Sequence, residues 1–288
     1  MSRLIELKRR IKSTRNIKQI TKAMEMVSVV KLKKTQELLN HAREYESIIN
    51  EIERIIETYK ENIDTKIEKN IILIIVTPTK GMVGALNINI ENKVKEFLED
   101  HKEQNVKIAA IEKKALSFIF TLNKEILAHF PSLKQPITME SIYPISDLVE
   151  TEYSQGLVDS IYILYPKFIN VMTNKIIVDK ILPIEVEDKD LIHFPKEKEE
   201  DPTSIYDFEL QIDSMYNQSI RIYLESKIYL ALIEGITSEH SSRMVAMRNA
   251  ADNATKLNNE LTFESNKERQ TKITAEVLEI ASATNIDQ

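Results

Sequence analysis

YLALIEGITSEHSSRMVAMRNAADNATKLNNEL, residues 229–261, places Tyr229, Ile233, Ile236, His240, Arg243, Met247, Ala250, Ala254, Leu257 and Leu261 alternately four and three positions apart. That alternation averages 3.5 residues, the repeat of a helix that packs along its length on another helix. Ile273, Val277 and Ile280 resume it, and Gly235 is the only Gly or Pro after Pro202. The pattern predicts one helix from about 208 to 284, which at 1.5 Å per residue is roughly 115 Å long. Small residues cluster at Ala246, Ala250, Ala251 and Ala254, where two helices can approach closely.

The opposite end of the chain supplies the partner. No Gly or Pro precedes Pro78, and Leu38, Ala42, Tyr45, Ile49, Ile52, Ile56, Tyr59 and Ile63 show the same alternation. Leu4, Leu7 and Ile11 share the spacing, as do Ile17, Ile20, Met24 and Val27. Ser2 suits a helix N-cap, so a helix over about 3–60 is predicted. The expected fold is an α/β chain: a long antiparallel two-helix coiled coil formed by the N- and C-terminal helices, with a small α/β domain inserted between them. Its expected parts are an N-terminal coiled-coil helix over 1–64, the inserted domain with an acidic linker over 65–202, and a C-terminal coiled-coil helix over 203–288.

The middle has a different grammar. IILIIV (71–76) is an apolar, β-branched run of the kind found in buried parallel strands. A helix is predicted over 87–100, a second strand over 106–111 and a helix over 115–123. Two more strands, 160–165 and 175–184, are joined across Pro166 and Asn170. Strand–helix–strand order points to a small α/β sheet. Residues 185–201 hold eight acids against three lysines and read as a solvated linker.

The 288 residues include only 4 Gly and 8 Pro, where average usage gives roughly 35 together. Sandwiches and barrels, which need turns every 8–12 residues, are excluded. Zero Cys excludes disulfides, thiolate catalysis and Cys-ligated zinc. The longest purely apolar run, Ile71–Val76, is far short of the ~20 residues that span a bilayer. MSRLIELKRRIKS lacks the apolar stretch of a signal peptide, so a soluble intracellular protein is expected.

TPTKGMVGALN (77–87) lies between strand and helix, where a phosphate loop would sit, but it meets neither G-x-x-x-x-G-K-[ST] nor G-x-G-x-x-G. It reads as a structural turn. His41, His101, His129, His193 and His240 show no metal spacing, and no catalytic signature occurs. Residues 1–34 carry eleven Lys/Arg against Glu6 and Glu25, although the whole chain has net charge −6. This stripe is either a solvated helix face or a surface for an acidic partner. No aromatic side chain lies among these charges to stack on bases, which disfavours nucleic acid. His240, Arg243 and Glu264 are polar seam positions that either set register or meet a third party.

ITKAMEMVSVVKLKK (20–34), SEHSSRMVAMRNAADNATKL (238–257) and NKERQTKITAEVLEI (266–280) resemble the signature ends of the gamma subunit of F-type ATP synthase. KGMVGALN resembles that family's glycine-containing turn, and LYPKFINVMTNKIIVDKILPI (164–184) its two-strand hairpin. The resemblance runs from Arg3 to Ile280. It implies a rotor shaft, one copy per complex, standing in an alpha3-beta3 hexamer. A small Rossmann-like domain would sit on the c ring of Fo beside epsilon, so that proton flow through the ring drives conformational change at the three catalytic beta sites. It also implies a non-catalytic chain without cofactor or nucleotide, peripheral on the cytoplasmic face of the bacterial inner membrane. Lys22, Met24 and Arg243 match positions near the acidic beta helix-loop. Arg269, Gln270, Thr274 and Glu276 match upper-shaft positions that bond to beta loops, and Tyr206 and Glu209 match the foot facing the c ring. The chain departs from the family at Thr79 (usually Asp), at Val83 (usually Cys or small), at IEKKA (111–115, usually Gly-containing) and at Leu210 (usually Pro). Gly235 admits two readings, a close-packing point or a bend.

Overall fold

The computed structural model describes residues 2–59, 68–122, 124–131, 133, 136–184 and 212–284. Its elements are α1 (Ser2–Tyr59), β1 (Asn70–Val76), α2 (Leu86–Asp100), β2 (Asn105–Ile111), α3 (Lys113–Ile119), β3 (Ile126–Phe130), α4 (Tyr143–Ser154), β4 (Ser160–Asn170), β5 (Thr173–Leu182) and α5 (Ile212–Thr284). The chain divides into two compact units, Met1–Val30 with Arg243–Gln288, and Lys31–Ser242. Both long helices contribute to each.

In the first unit α1 and α5 are antiparallel. Arg3 Nη2 reaches Glu264 Oε1 at 2.9 Å, and Arg248 Nε reaches Glu25 Oε1 at 3.1 Å. The inward row of α1 is Leu7, Thr14, Thr21, Glu25 and Ser28, and that of α5 is Met244, Met247, Ala251, Ala254 and Leu261. Both rows keep the heptad spacing. The row expected on α1 is displaced: Ile17, Ile20 and Val27 are 50%, 60% and 57% exposed. On α5 the seam slips by one residue in places, so Ala251 is buried and Leu257 exposed. The reason is size. Small side chains inside let the backbones approach, and their hydroxyls are satisfied within their own helices. Thr21 Oγ1 donates to the Ile17 carbonyl at 2.9 Å, Ser28 Oγ to Met24 at 2.8 Å, and Thr255 Oγ1 to Ala251 at 2.8 Å. The larger Ile and Val are left outside.

The second unit holds a five-stranded sheet in the order β3-β2-β1-β4-β5. β1 pairs in parallel with β2 and with β4, β2 with β3, and β5 closes the sheet antiparallel to β4. The central strand β1 is buried on both faces, as its unbroken apolar run requires. Ile71, Leu73 and Ile75 pack in one core with Leu86, Ile90, Val94 and Phe97 of α2 and with Ala115 and Ile119 of α3. The sequence expectation missed β3 and α4. β3 is five residues long with no alternation in burial, and α4 carries Pro in its first turn, a tolerated position that reads as a breaker. β4 also runs straight through Pro166. Its pairing with β1 ends at Leu164, so the missing N–H of Pro166 costs no ladder bond on that side.

Along 223–241, α5 is buried on nearly every side, as expected of a helix enclosed by its neighbours. Gly235 lies here. A Cβ on it would stand 2.8 Å from Cγ1 of Val76. Gly235 is therefore a close-packing point between α5 and the end of β1.

Candidate partner-binding surfaces

The basic stripe of the first unit has almost no internal use. Its two acids are both spent: Glu6 pairs with Arg10 at 3.1 Å, and Glu25 takes Lys22 Nζ at 2.9 Å as well as Arg248. Lys8, Arg9, Lys12, Arg15 and Lys18 are exposed and form no ion pair among the described residues. Beside them stand Ile17, Ile20 and Val27, with Met24 half-buried. Adjacent exposed apolar and cationic side chains are the composition of a docking surface for an acidic partner.

Glu25 is the residue that the sequence reading passed over. It sits in the seam, 4% exposed. The hydrogen bond from Lys22 holds its carboxyl below the usual range against the opposing effect of burial, and Arg248 adds to the lowering. The signal was available. Counting sevens from Leu4 lands on Ile11, Lys18 and Glu25, so the acid was in register.

The second surface is the end of α5. Arg3 reaches Glu264 and, at 3.8 Å, Glu268, so residues 269–279 extend beyond the last pairing with α1. Every one of them is exposed. That stretch is roughly 16 Å of helix, and it carries Arg269, Gln270, Thr274 and Glu276 together. Thr274 Oγ1 donates to its own helix at Gln270, 2.9 Å away, and Glu276 pairs with Lys272 at 3.5 Å. Ile273, Val277 and Leu278 are also exposed here. Lys22 and Met24 lie on α1, and Arg243 is buried on α5. Tyr206 and Glu209 lie outside the described residues.

In the second unit the turn 77–85 follows β1. Met82 and Gly84 adopt left-handed backbone conformations, φ 62° and 61°. The Thr79 amide, where a phosphate oxygen would be received, donates to Glu239 Oε2 of α5 at 2.8 Å. A carboxylate holds that place.

The family described as ATP synthase matches residues 3–285. The ATP synthase gamma chain of Glaesserella parasuis is 36% identical over 285 residues, covering 96% of each chain. That of Roseiflexus sp. strain RS-1 is 34% identical over 292 residues with the same coverage. The chain belongs to the ATP synthase gamma-chain family. Its fold is also that of the central stalk in the Tetrahymena thermophila mitochondrial ATP synthase, at TM-score 0.63, 22% identity, 80% of this chain and 99% of that one. A chain of the Euglena gracilis mitochondrial enzyme aligns at TM-score 0.65 and 19% identity over 99% of this chain and 94% of its own.

Within this gamma-chain fold, three residues of the signature SEHSSRM work internally. Ser238 Oγ donates to the Pro166 carbonyl at 2.8 Å, Ser241 Oγ to the Val171 carbonyl, and Asn174 Nδ2 to Ser242 Oγ at 2.7 Å. One turn earlier, buried Glu234 takes Arg43 Nε and Nη2 at 2.9 and 2.7 Å together with the Phe168 amide. The Arg43 guanidinium also donates to the Phe168 carbonyl at 2.7 Å. These bonds fasten the β4–β5 hairpin to both long helices. Of the departures from the family's usual sequence, Val83 is buried in the core. Glu112 holds φ 71°, ψ 158°, a region nearly confined to Gly.

Proposed function

We propose that this chain is the central rotor shaft of an F-type ATP synthase. Proton-driven rotation of the c ring turns it, and its asymmetric coil carries the three catalytic beta sites through successive conformations. The observation that carries this reading is the end of α5: residues 269–279 are all exposed, lack a facing helix among the described residues and still keep apolar side chains. An exposed, partly apolar helix end needs a surface supplied from outside, here the bore of an alpha3-beta3 hexamer. Arg269, Gln270, Thr274 and Glu276 meet the beta loops there. The unspent cations of α1, with Lys22, Met24 and Arg243, face the acidic beta helix-loop. Epsilon and the c ring engage the other end, with Tyr206 and Glu209 as the foot, and one copy serves each complex. The chain is non-catalytic, a reading supported by Glu239, whose carboxylate takes the Thr79 amide in the turn after β1 where a phosphate loop would sit. Among the described residues no helix is long and apolar enough to cross a membrane. The chain is peripheral, on the cytoplasmic face of the bacterial inner membrane through Fo.

The test is reconstitution of this chain with alpha and beta subunits, a bead on the β4–β5 hairpin, and ATP. Unidirectional stepping of the bead is expected. Assembly without rotation, or ATP hydrolysis that proceeds with a freely diffusing bead, would overturn the reading.

A further inference from the structure

Between the β4–β5 hairpin, α1 and α5 in the second unit lies a cavity of about 610 Å³, within the size range of small-molecule sites. Its wall has four basic and three acidic side chains. The acids are occupied. Glu234 is held by Arg43 and the Phe168 amide, Glu46 by Lys227, and Asp179 by the Tyr165 hydroxyl at 2.8 Å. Burial and the neighbouring Asp179 push the Tyr165 phenol upward, so it stays a donor. The bases are not exhausted. Arg43 spends Nε and Nη2 internally, which leaves Nη1, and Lys227 uses one of its three N–H bonds. Lys167 has no partner among the described residues.

A second observation comes from strand register. Lys167 of β4 stands directly opposite Lys175 of β5, and Lys175 also forms no ion pair among the described residues. Like charges directly opposed across strands are destabilising, and Lys167 carries this repulsion to the cavity wall. We propose that this cavity binds a small phosphate-bearing polyanion, gripped by Lys167, Lys227 and Arg43, with Lys175 opposite Lys167 adding to the positive field. Charge-assisted bonds from two ammoniums and a planar guanidinium suit phosphate oxygens, which offer several acceptors within a small volume. The fixed Arg43–Glu234–Phe168 network holds the guanidinium in place before the ligand arrives. The inference rests on the second unit alone and is independent of the rotor reading.

The test is calorimetric titration of the full chain with inorganic pyrophosphate. One saturable, salt-sensitive site is expected. The Lys167→Glu, Lys175→Glu double variant should weaken it by at least about tenfold, since it reverses the charge of both opposed lysines. Asp179→Asn should tighten it by removing a carboxylate from the wall. Lys95→Glu, on α2 outside the cavity lining, should leave it within about twofold, as expected of a screened distant charge. Thermal unfolding of each variant checks the fold. Absence of saturation, or equal weakening by Lys95→Glu, would overturn the site, the second by revealing diffuse attraction.

Discussion

Two residues show how a single position can run against its local preference. Gly235 costs helix propensity, about 1 kcal/mol relative to Ala, yet a methyl there would meet Val76 at 2.8 Å. Overpacking of that kind costs about 1–3 kcal/mol. Gly235→Ala should therefore lower thermal stability despite its better propensity, and Val76→Ala in the same chain should restore it. Equal stability of the single variant and the parent would show that the helix gain prevails. Glu112 is the opposite case, a charged side chain at a position that favours Gly. It is 8% exposed, and among the described residues Oε1 accepts only the Leu133 amide, at 3.3 Å, and Oε2 has no partner. Glu112→Gly should stabilise the second unit by about 1–3 kcal/mol through relieved strain. Burial, then repulsion from Glu239, raises the Glu112 pKa above the usual carboxylate value. A raised acid contributes stability below its unfolded pKa, ~4.3, and loses it as pH rises through the folded value. The gain from Gly should accordingly be larger at pH 8 than at pH 4, which paired denaturant titrations would resolve.

At the scale of elements, the hairpin and the coil each depend on a buried carboxylate. Removing the guanidinium in Arg43→Ala leaves Glu234 buried without its counter-charge. Because Arg43 is itself partly exposed, the cost should be about 2–3 kcal/mol, below the usual loss for a fully buried pair. Faster amide exchange in 168–178, with β1 and β2 unchanged, is the expected result. In the coil, Glu25 has the lowered pKa, so its contribution is present above the unfolded value and lost as pH falls through the folded one. Amide protection factors around 20–28 and 244–251 should fall between pH 5 and pH 3, roughly the window below an ordinary carboxylate. Glu25→Gln should flatten that dependence. An unchanged profile in the variant would assign the acid sensitivity to other groups.

At the scale of the whole molecule, the rotor reading makes Met24 a contact rather than a core residue, as its half-buried outward position allows. Met24→Lys should leave assembly intact and lower ATP-driven proton pumping several-fold, because it adds a fixed charge opposite an acidic partner. Pumping equal to the parent would remove Met24 from the contact. Much of the architecture was legible before any coordinates. The placement of Gly and Pro fixed where helices could run unbroken, the 4-3 spacing required them to pair, and IILIIV announced a strand buried on both faces. These are local, periodic properties, carried by the order of residues along the chain. What the spacing alone could not choose was the face. Ile17, Ile20 and Val27 satisfy a heptad as well as Thr14, Thr21 and Ser28 do, and periodicity prefers the more apolar row. Only the tertiary structure selected the smaller one, because close approach of two backbones is decided by the side chains on both helices at once. The roles of Gly235, Glu234 and the serines of SEHSSRM came from the same source: each depends on a residue roughly 60 to 190 positions away, which no local pattern encodes.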